Sequence, residues 1–220
     1  MISIEDISPK VICDQIDAVF EDIQPDAVKV GMLSQPPCME AVAEKLRQYR
    51  PKHVVIDPVM YAKNGCPLMD PGSVDRVIQT VLPLATLLTP NIPEAEKIAG
   101  CSIHSVAEME DAAMGPKGVL VKGGHAQGDA VDVLFDGEHF HHYTAERIPT
   151  KNTHGTGCTY SSAIAANLAL GLDMPAAVER AKAYVTMAIR HALAIGKGHG
   201  PTNHFYDVYV KGLTNGAEIE

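Results

Sequence analysis

The chain places a thiol, Cys158, within the run NTHGTGCTYSSA at residues 152–163, where a glycine-rich turn meets the start of a helical pattern. Gly155 and Gly157 permit close backbone approach and unusual dihedrals. Free N–H groups from Gly155 to Cys158 would then point into one space, which makes an anion site out of backbone. The same positive field favours the thiolate form of a cysteine. One short element could therefore hold a negative transferring group and offer a base or a nucleophile. The alternative is a packed cysteine in a glycine-rich helix start.

The other chemistry-bearing residues follow short apolar runs. Asn91 and Glu94 stand three apart, a spacing that shares a helix face. An amide oxygen and a carboxylate are hard ligands suited to Mg2+. The same NIPEAE run is also a good helix start, with acids near the positive end of the dipole. Asp57 precedes Pro58, which holds it extended, and it is either a turn residue or a polar group facing a cofactor. Lys122, followed by Gly123, Gly124 and His125, could approach a phosphate or be a loop lysine without a role. His139, His141 and His142 read as a solvated edge rather than a metal site.

Two chemistries compete for these residues. A cysteine hydrolase would use Cys158 as nucleophile with His154 as base, and the HGTG run is similar to a hydrolase oxyanion loop. A small-molecule kinase would use Cys158 as base on a substrate hydroxyl, with the turn stabilising the phosphoryl group. The hydrolase leaves Asn91, Glu94 and Lys122 unused, whereas the kinase employs them all. No G-x-x-x-x-G-K-[ST] loop occurs.

These residues need a scaffold. Ile12, Ile16, Val19, Phe20 and Ile23 follow helical spacing, and DAVKVGML gives a short strand ending at Gly31. A helix is predicted over residues 37–49. Val54, Val55 and Ile56 form the unbroken apolar run of a strand covered on both faces. Ser73 reads as the cap of a helix running to Val81. TLLTPN is the next strand, with a helix opening at Pro93, and KGVLVKGG is another strand. VDVLFDGEHFHHY reads as a hairpin around Asp136-Gly137. Helical patterns run from about Thr156, and from Pro175 to about Ile195. This alternation predicts an α/β fold of three layers, a mainly parallel central sheet with helices on both faces. Ligands in such folds bind beyond the carboxyl ends of the strands.

The 220 residues fit one domain with a sizeable core, and 46% hydrophobic with 20% charged residues is ordinary for a globular chain. A net charge of −9 without a basic run argues against nucleic acid as partner. No apolar stretch reaches the roughly 18 residues of a membrane span, and the start lacks the pattern of a secretory signal. The five cysteines, Cys13, Cys38, Cys66, Cys101 and Cys158, are scattered and form no C-x-x-C pair, which suits a reducing cytoplasm.

VKVGMLS, VVIDPVM, TPNIPEAE, VLVKGGH, NTHGTGC and GKGHGPTNHF occur in that order. Together they resemble the hydroxymethylpyrimidine and phosphomethylpyrimidine kinases of thiamine biosynthesis, members of the ribokinase-like superfamily. The resemblance runs from about Ser8 to about Tyr206 and implies one ribokinase-like domain over residues 1–220. It implies ATP and Mg2+ as cofactors, a small pyrimidine as substrate, and a homodimer. By the resemblance, Gly155, Thr156 and Gly157 match the anion hole, and Cys158 matches the catalytic base. Asn91 and Glu94 match the motif that serves Mg2+ and phosphate, and Lys122 and Thr153 match positions near the nucleotide phosphates. Met32 and Val59 match residues lining the pyrimidine pocket. A pyridoxal kinase-like activity, or an inactive homologue that keeps a phosphate site, are the alternatives. One departure stands out: the opening strand, its G-S-D-x-x-G-G-A-G loop and a second strand, about 60 residues of the family pattern, do not occur here. The chain is accordingly expected to be N-terminally truncated relative to that pattern, to expose unpaired sheet edges, and to be a poor kinase on its own.

Overall fold

Apolar residues in the strands alternate between two helical layers, and that alternation organises the fold. The structure is a computed structural model describing residues 5, 7–61, 67–69, 71–114, 118–124 and 130–215; Cys66 and His125 lie outside them. Six strands form one sheet in chain order: β1 (Ala27–Val30), β2 (His53–Ile56), β3 (Leu87–Leu88), β4 (Gly118–Val121), β5 (Ala130–Phe135) and β6 (Phe140–Ala145). The first four run parallel, and β5 and β6 are antiparallel additions.

Val54 and Ile56 of β2 face one layer, packed with Met39, Ala43 and Leu46 of α2 (Pro36–Tyr49) and with Val74 and Val77 of α3 (Pro71–Thr80). Val55, between them, faces the other layer with Leu87, Leu120 and Leu134. There it meets Ile164 and Leu168 of α6 (Thr156–Ala169) and Ala177, Ala181 and Val185 of α7 (Met174–Arg190). Further along the first face, Val121 and Val133 pack with Ala95 of α4 (Ile92–Ala99) and with Met109 and Ala113 of α5 (Val106–Ala113). This period-two division is what a parallel sheet covered on both sides requires. An outer helix α1 (Pro9–Asp22) contacts α2 and buries no residue of its own, and α8 (Tyr206–Asn215) closes the described chain.

The fold class is as the alternation predicted, with local corrections. Ser73 is no cap: it is the third residue of α3, buried, and Pro71 begins the helix. The last long helix stops at Arg190 rather than near Ile195, with its final carbonyls engaged by His191 and Ala192. The hairpin turn takes four residues, because the Asp136 carboxylate accepts from both Glu138 N and His139 N at 2.9 and 2.8 Å. Those amides, with His141 beside them, hold the Asp136 carboxyl down at about 2. The histidines diverge, His141 pairing with Asp136 and His142 with Glu110 of α5, so they do not gather as metal ligands.

Candidate active site

Parallel strands send their carboxyl ends to one edge of the sheet, and the residues that follow β2, β3 and β4 meet there. Asp57, after β2, is buried and accepts Lys122 Nζ, after β4, at 2.7 Å. Thr89 Oγ1 and Ser161 Oγ reach the same carboxylate at 3.3 and 3.4 Å. Lys122 is held alongside the end of β3 by its own N–H, which donates to Pro90 O at 2.8 Å.

Asn91 and Glu94 form a capping box for α4: Asn91 Oδ1 accepts from Glu94 N at 3.0 Å, and Glu94 Oε2 from Asn91 N at 2.9 Å. The capping role and the site role of this pair are therefore compatible, because the box turns the Glu94 carboxylate inward. Glu94 is buried, and its other oxygen accepts Met60 N at 3.4 Å. Burial pushes its carboxyl up, and the Lys122 ammonium works against that shift.

The turn before α6 approaches from the opposite layer. Gly155 caps the helix in the left-handed region, φ +80°, which favours glycine. With no side-chain cap on this end, the N–H groups of the first turn have no intrahelical acceptor. Gly157 brings the turn against the ion pair: a Cβ there would stand 3.6 Å from Lys122 Nζ and 3.7 Å from Asp57 Oδ2. Gly157 O and Cys158 O, at 3.1 and 3.2 Å, are alternative acceptors for the same Ser161 hydroxyl, which thus stands between the turn and Asp57.

The segment before α8 braces the turn from behind. His154 N donates to Gly200 O at 3.1 Å, and Gly200 N donates to the buried Asn152 Oδ1 at 3.2 Å. A side chain at position 200 would meet Asn152 Oδ1 at 2.5 Å, so this contact needs glycine. Sequence reasoning found the GKGHGPTNHF run only as a resemblance. Its bracing role has no local signal, because the partners are about fifty positions away.

Of the sequence-predicted residues, Asp57, Asn91, Glu94, Lys122 and Gly157 converge on one spot, and Cys158 follows directly on Gly157. Thr153 lies on the same turn, its carbonyl accepting Thr156 Oγ1 at 2.8 Å. Met32 lies beyond β1, 40% exposed, and Val59 is half-buried beyond Asp57. Cys158 is exposed and lines a cavity of about 590 Å³ with Ser162, Ala166, Arg180, Tyr184 and His204. That cavity lies along α6 and α7, and its lining includes Cys158 and Thr159 but none of the five converging residues. Among the described residues no hydrogen bond joins His154 to Cys158, and the hydrolase pairing has no geometric support.

The chain is similar in sequence and in fold to known proteins. The family described as phosphomethylpyrimidine kinase matches residues 1–203. The chain is 50% identical over 207 residues to the thiamine biosynthesis bifunctional protein ThiED of Geobacter sulfurreducens, covering 91% of this chain and 42% of that protein. It is 45% identical over 214 residues to the hydroxymethylpyrimidine/phosphomethylpyrimidine kinase of Synechococcus elongatus, covering 94% and 81%. The chain thus spans less than half of the bifunctional relative and about four fifths of the single-function kinase. A crystal structure of phosphomethylpyrimidine kinase from Clostridium difficile 630 superposes with a TM-score of 0.76 at 45% identity, covering 85% of this chain and 79% of that one. An ADP complex of Bacillus subtilis pyridoxal kinase superposes with a TM-score of 0.84 at 34% identity, covering 92% and 78%. Among the described residues no helix is long and apolar enough to cross a membrane.

Proposed function

The chain belongs to the phosphomethylpyrimidine kinase family, and from that premise we propose that it transfers a phosphoryl group from ATP to the hydroxymethyl group of 4-amino-5-hydroxymethyl-2-methylpyrimidine, then phosphorylates that monophosphate, in thiamine diphosphate biosynthesis. The observation that carries the proposal is the closure of the Lys122–Asp57 pair against Gly157, beside Glu94. A cation, a run of backbone N–H groups and a buried carboxylate come together there, a combination suited to a transferring phosphoryl group.

In this reading Lys122 leaves Asp57 in part to meet the nucleotide phosphates, and the amides of Gly157 and Cys158 meet the transferring oxygens. Cys158 takes the proton of the substrate hydroxyl. Thr153 lines the phosphate side of the turn, and Met32 and Val59 line the pyrimidine side. The donor set also fits Mg2+: Asn91, Glu94 and Asp57 present hard oxygens. Among the described residues no three acidic, histidine or cysteine side chains are grouped to hold an ion unaided. Asn91 and Glu94 would therefore hold Mg2+ through water, together with phosphate oxygens. The ion would supply neutralisation of phosphate charge. The chain is taken to work as a cytoplasmic homodimer, which sedimentation analysis checks.

The decisive assay supplies ATP and the hydroxymethylpyrimidine to the wild type and to Cys158→Ala. Loss of a general base lowers turnover by about 10²–10⁴-fold, while binding of AMP-PCP is retained. Unchanged turnover in Cys158→Ala removes the base assignment, and nucleotide binding without transfer by the wild type counts against the proposed activity of this chain. Pyridoxal is the second acceptor to assay, because the pyridoxal kinase superposes well; the higher identity to pyrimidine kinases favours the pyrimidine.

A further inference from the structure

Phosphoryl transfer as outlined above makes no use of Asp132, a buried carboxylate on β5. It stands where the β4–β5 ladder has just ended, at Val121↔Val133. Past that point Gly123 N–H donates to Asp132 Oδ1 at 2.9 Å instead of to a strand carbonyl. The other carboxylate oxygen accepts Lys182 Nζ of α7 at 2.6 Å, and the same ammonium donates to Ala130 O at 3.0 Å. Tyr160 of α6, two residues past Cys158, is buried beside this group; burial first, and the Asp132 charge second, push its hydroxyl far up. One carboxylate therefore touches the turn after β4 and lies against both helices of the second layer.

Gly123 is fixed in a second way. A Cβ at this position would collide with the Val131 carbonyl, so the backbone lies directly against β5. The preceding N–H, that of Lys122, goes to the other flank, to Pro90 O at 2.8 Å. The peptide carrying Lys122 is pinned from the β3 side by a carbonyl and from the β5 side by a carboxylate. Two successive glycines follow Lys122, and without such anchors they would leave its backbone loose.

We propose that Asp132, locked by Lys182, is a positioning residue for nucleotide phosphates: it fixes the Lys122–Gly123 peptide and thereby aims the Lys122 ammonium at the turn carrying Gly157. This rests on the kinase reading given above. An ionised acceptor suits the task, since a charge-assisted bond to a backbone N–H is about twice as strong as a neutral one. The lysine offsets the cost of burying that charge. Small displacements matter here, because a misplacement of about 1 Å can cost on the order of 10²-fold in rate.

Two double variants separate positioning from plain stability. Asp132→Asn with Lys182→Met keeps an acceptor for Gly123 N–H and leaves no lone charge. Asp132→Leu with Lys182→Met is also neutral and of similar volume, but offers no acceptor. Replacing a buried ion pair by apolar groups is often neutral for stability. AMP-PCP affinity is read by calorimetry, with melting temperature, KM for ATP, KM for the pyrimidine, and amide exchange at Gly123. The leucine variant should bind AMP-PCP about 10-fold more weakly, the loss of one hydrogen bond. The asparagine variant should stay near wild type, KM for the pyrimidine should be unchanged in both, and Gly123 should exchange fast only in the leucine variant. Equal affinity in all three proteins overturns the proposal, as does a loss that is the same in both variants and follows melting temperature. If neither variant folds, freely exchanging Gly123 in the wild type overturns it and slow exchange supports it. A difference between the variants in AMP-PCP affinity supports it even if no pyrimidine is phosphorylated, an outcome that overturns only the proposed function.

Discussion

The Asp57–Lys122 pair closes at 2.7 Å with its side chains 3% and 13% exposed, and the Asp132–Lys182 pair closes at 2.6 Å with 3% and 12%. By distance and burial the two are indistinguishable, and they differ in what else holds them. Among the described residues, Asp57 is otherwise reached only by hydroxyls, Thr89 Oγ1 and Ser161 Oγ, and each of these also has a backbone carbonyl within reach. That pair can open by side-chain rotation. Asp132 is bonded to a backbone N–H, and Lys182 to a backbone carbonyl, so opening that pair also breaks two bonds to the backbone. The use of a buried ion pair is thus read from the attachments of its atoms, not from its length.

The largest expected effects come from cutting each pair on the lysine side. Lys122→Met and Lys182→Met each leave a buried aspartate alone, which costs about 3–5 kcal/mol of stability in urea titrations. Lys122→Met should in addition lose about 10²–10³-fold in turnover, as when a charge-stabilising donor is removed. The kinetic loss in Lys182→Met should be confined to KM for ATP. Matching kinetic defects in the two variants would erase the distinction drawn between the pairs.

Two glycines sharpen it at a smaller scale. Gly123→Ala drives a methyl into the Val131 carbonyl and should destabilise by about 1–3 kcal/mol. Gly157→Ala meets Lys122 and Asp57 only at ordinary contact distance, in the first turn of α6 and without a left-handed φ. It should therefore gain about 0.4–1 kcal/mol of stability while weakening AMP-PCP binding, since the methyl occupies the face offered to an anion. Thermal melts paired with nucleotide titrations check both signs, and a Gly157→Ala protein that binds AMP-PCP as well as wild type does would remove the turn from the phosphate site.

The smallest effect is at Glu94, on the rim of the pair that opens. Its carboxyl is raised above the ordinary 4.5, chiefly by burial. A raised acid contributes stability below its unfolded pKa and loses it as pH rises through the folded value. Glu94→Gln keeps the capping acceptor, so its melting temperature relative to wild type should climb between pH 4.5 and neutrality, and its Mg2+ requirement should rise. A melting difference that stays flat with pH counts against a raised Glu94 carboxyl.

Strands buried on both faces were legible because residues 54–56 and 119–121 have no polar interruption, and the convergence at their carboxyl ends followed from the parallel topology. Helix α5 was not legible: eight residues rich in alanine and acid show little periodicity, and its buried face is only Met109 and Ala113. Ser73 misled because serine is both a good cap and a tolerated buried residue. Asn91 and Glu94 matched two readings, and the structure satisfies the capping one while leaving the carboxylate beside Lys122 and Asp57. The Asp132–Lys182 pair was missed because fifty positions separate its members, although an acid in the middle of the apolar run AVDVLF was a usable signal.

Strand order along the sheet equals order along the chain. During synthesis each emerging strand finds its neighbour already made, and no pairing must wait for a distant partner. Short closures of this kind favour fast folding. Asp57, Asn91 and Lys122 are delivered in that sequence, while Cys158 arrives after the last strand. The turn that carries the thiol is braced only when Gly200 has been made. A nascent chain therefore makes the strands of this sheet before it makes the thiol.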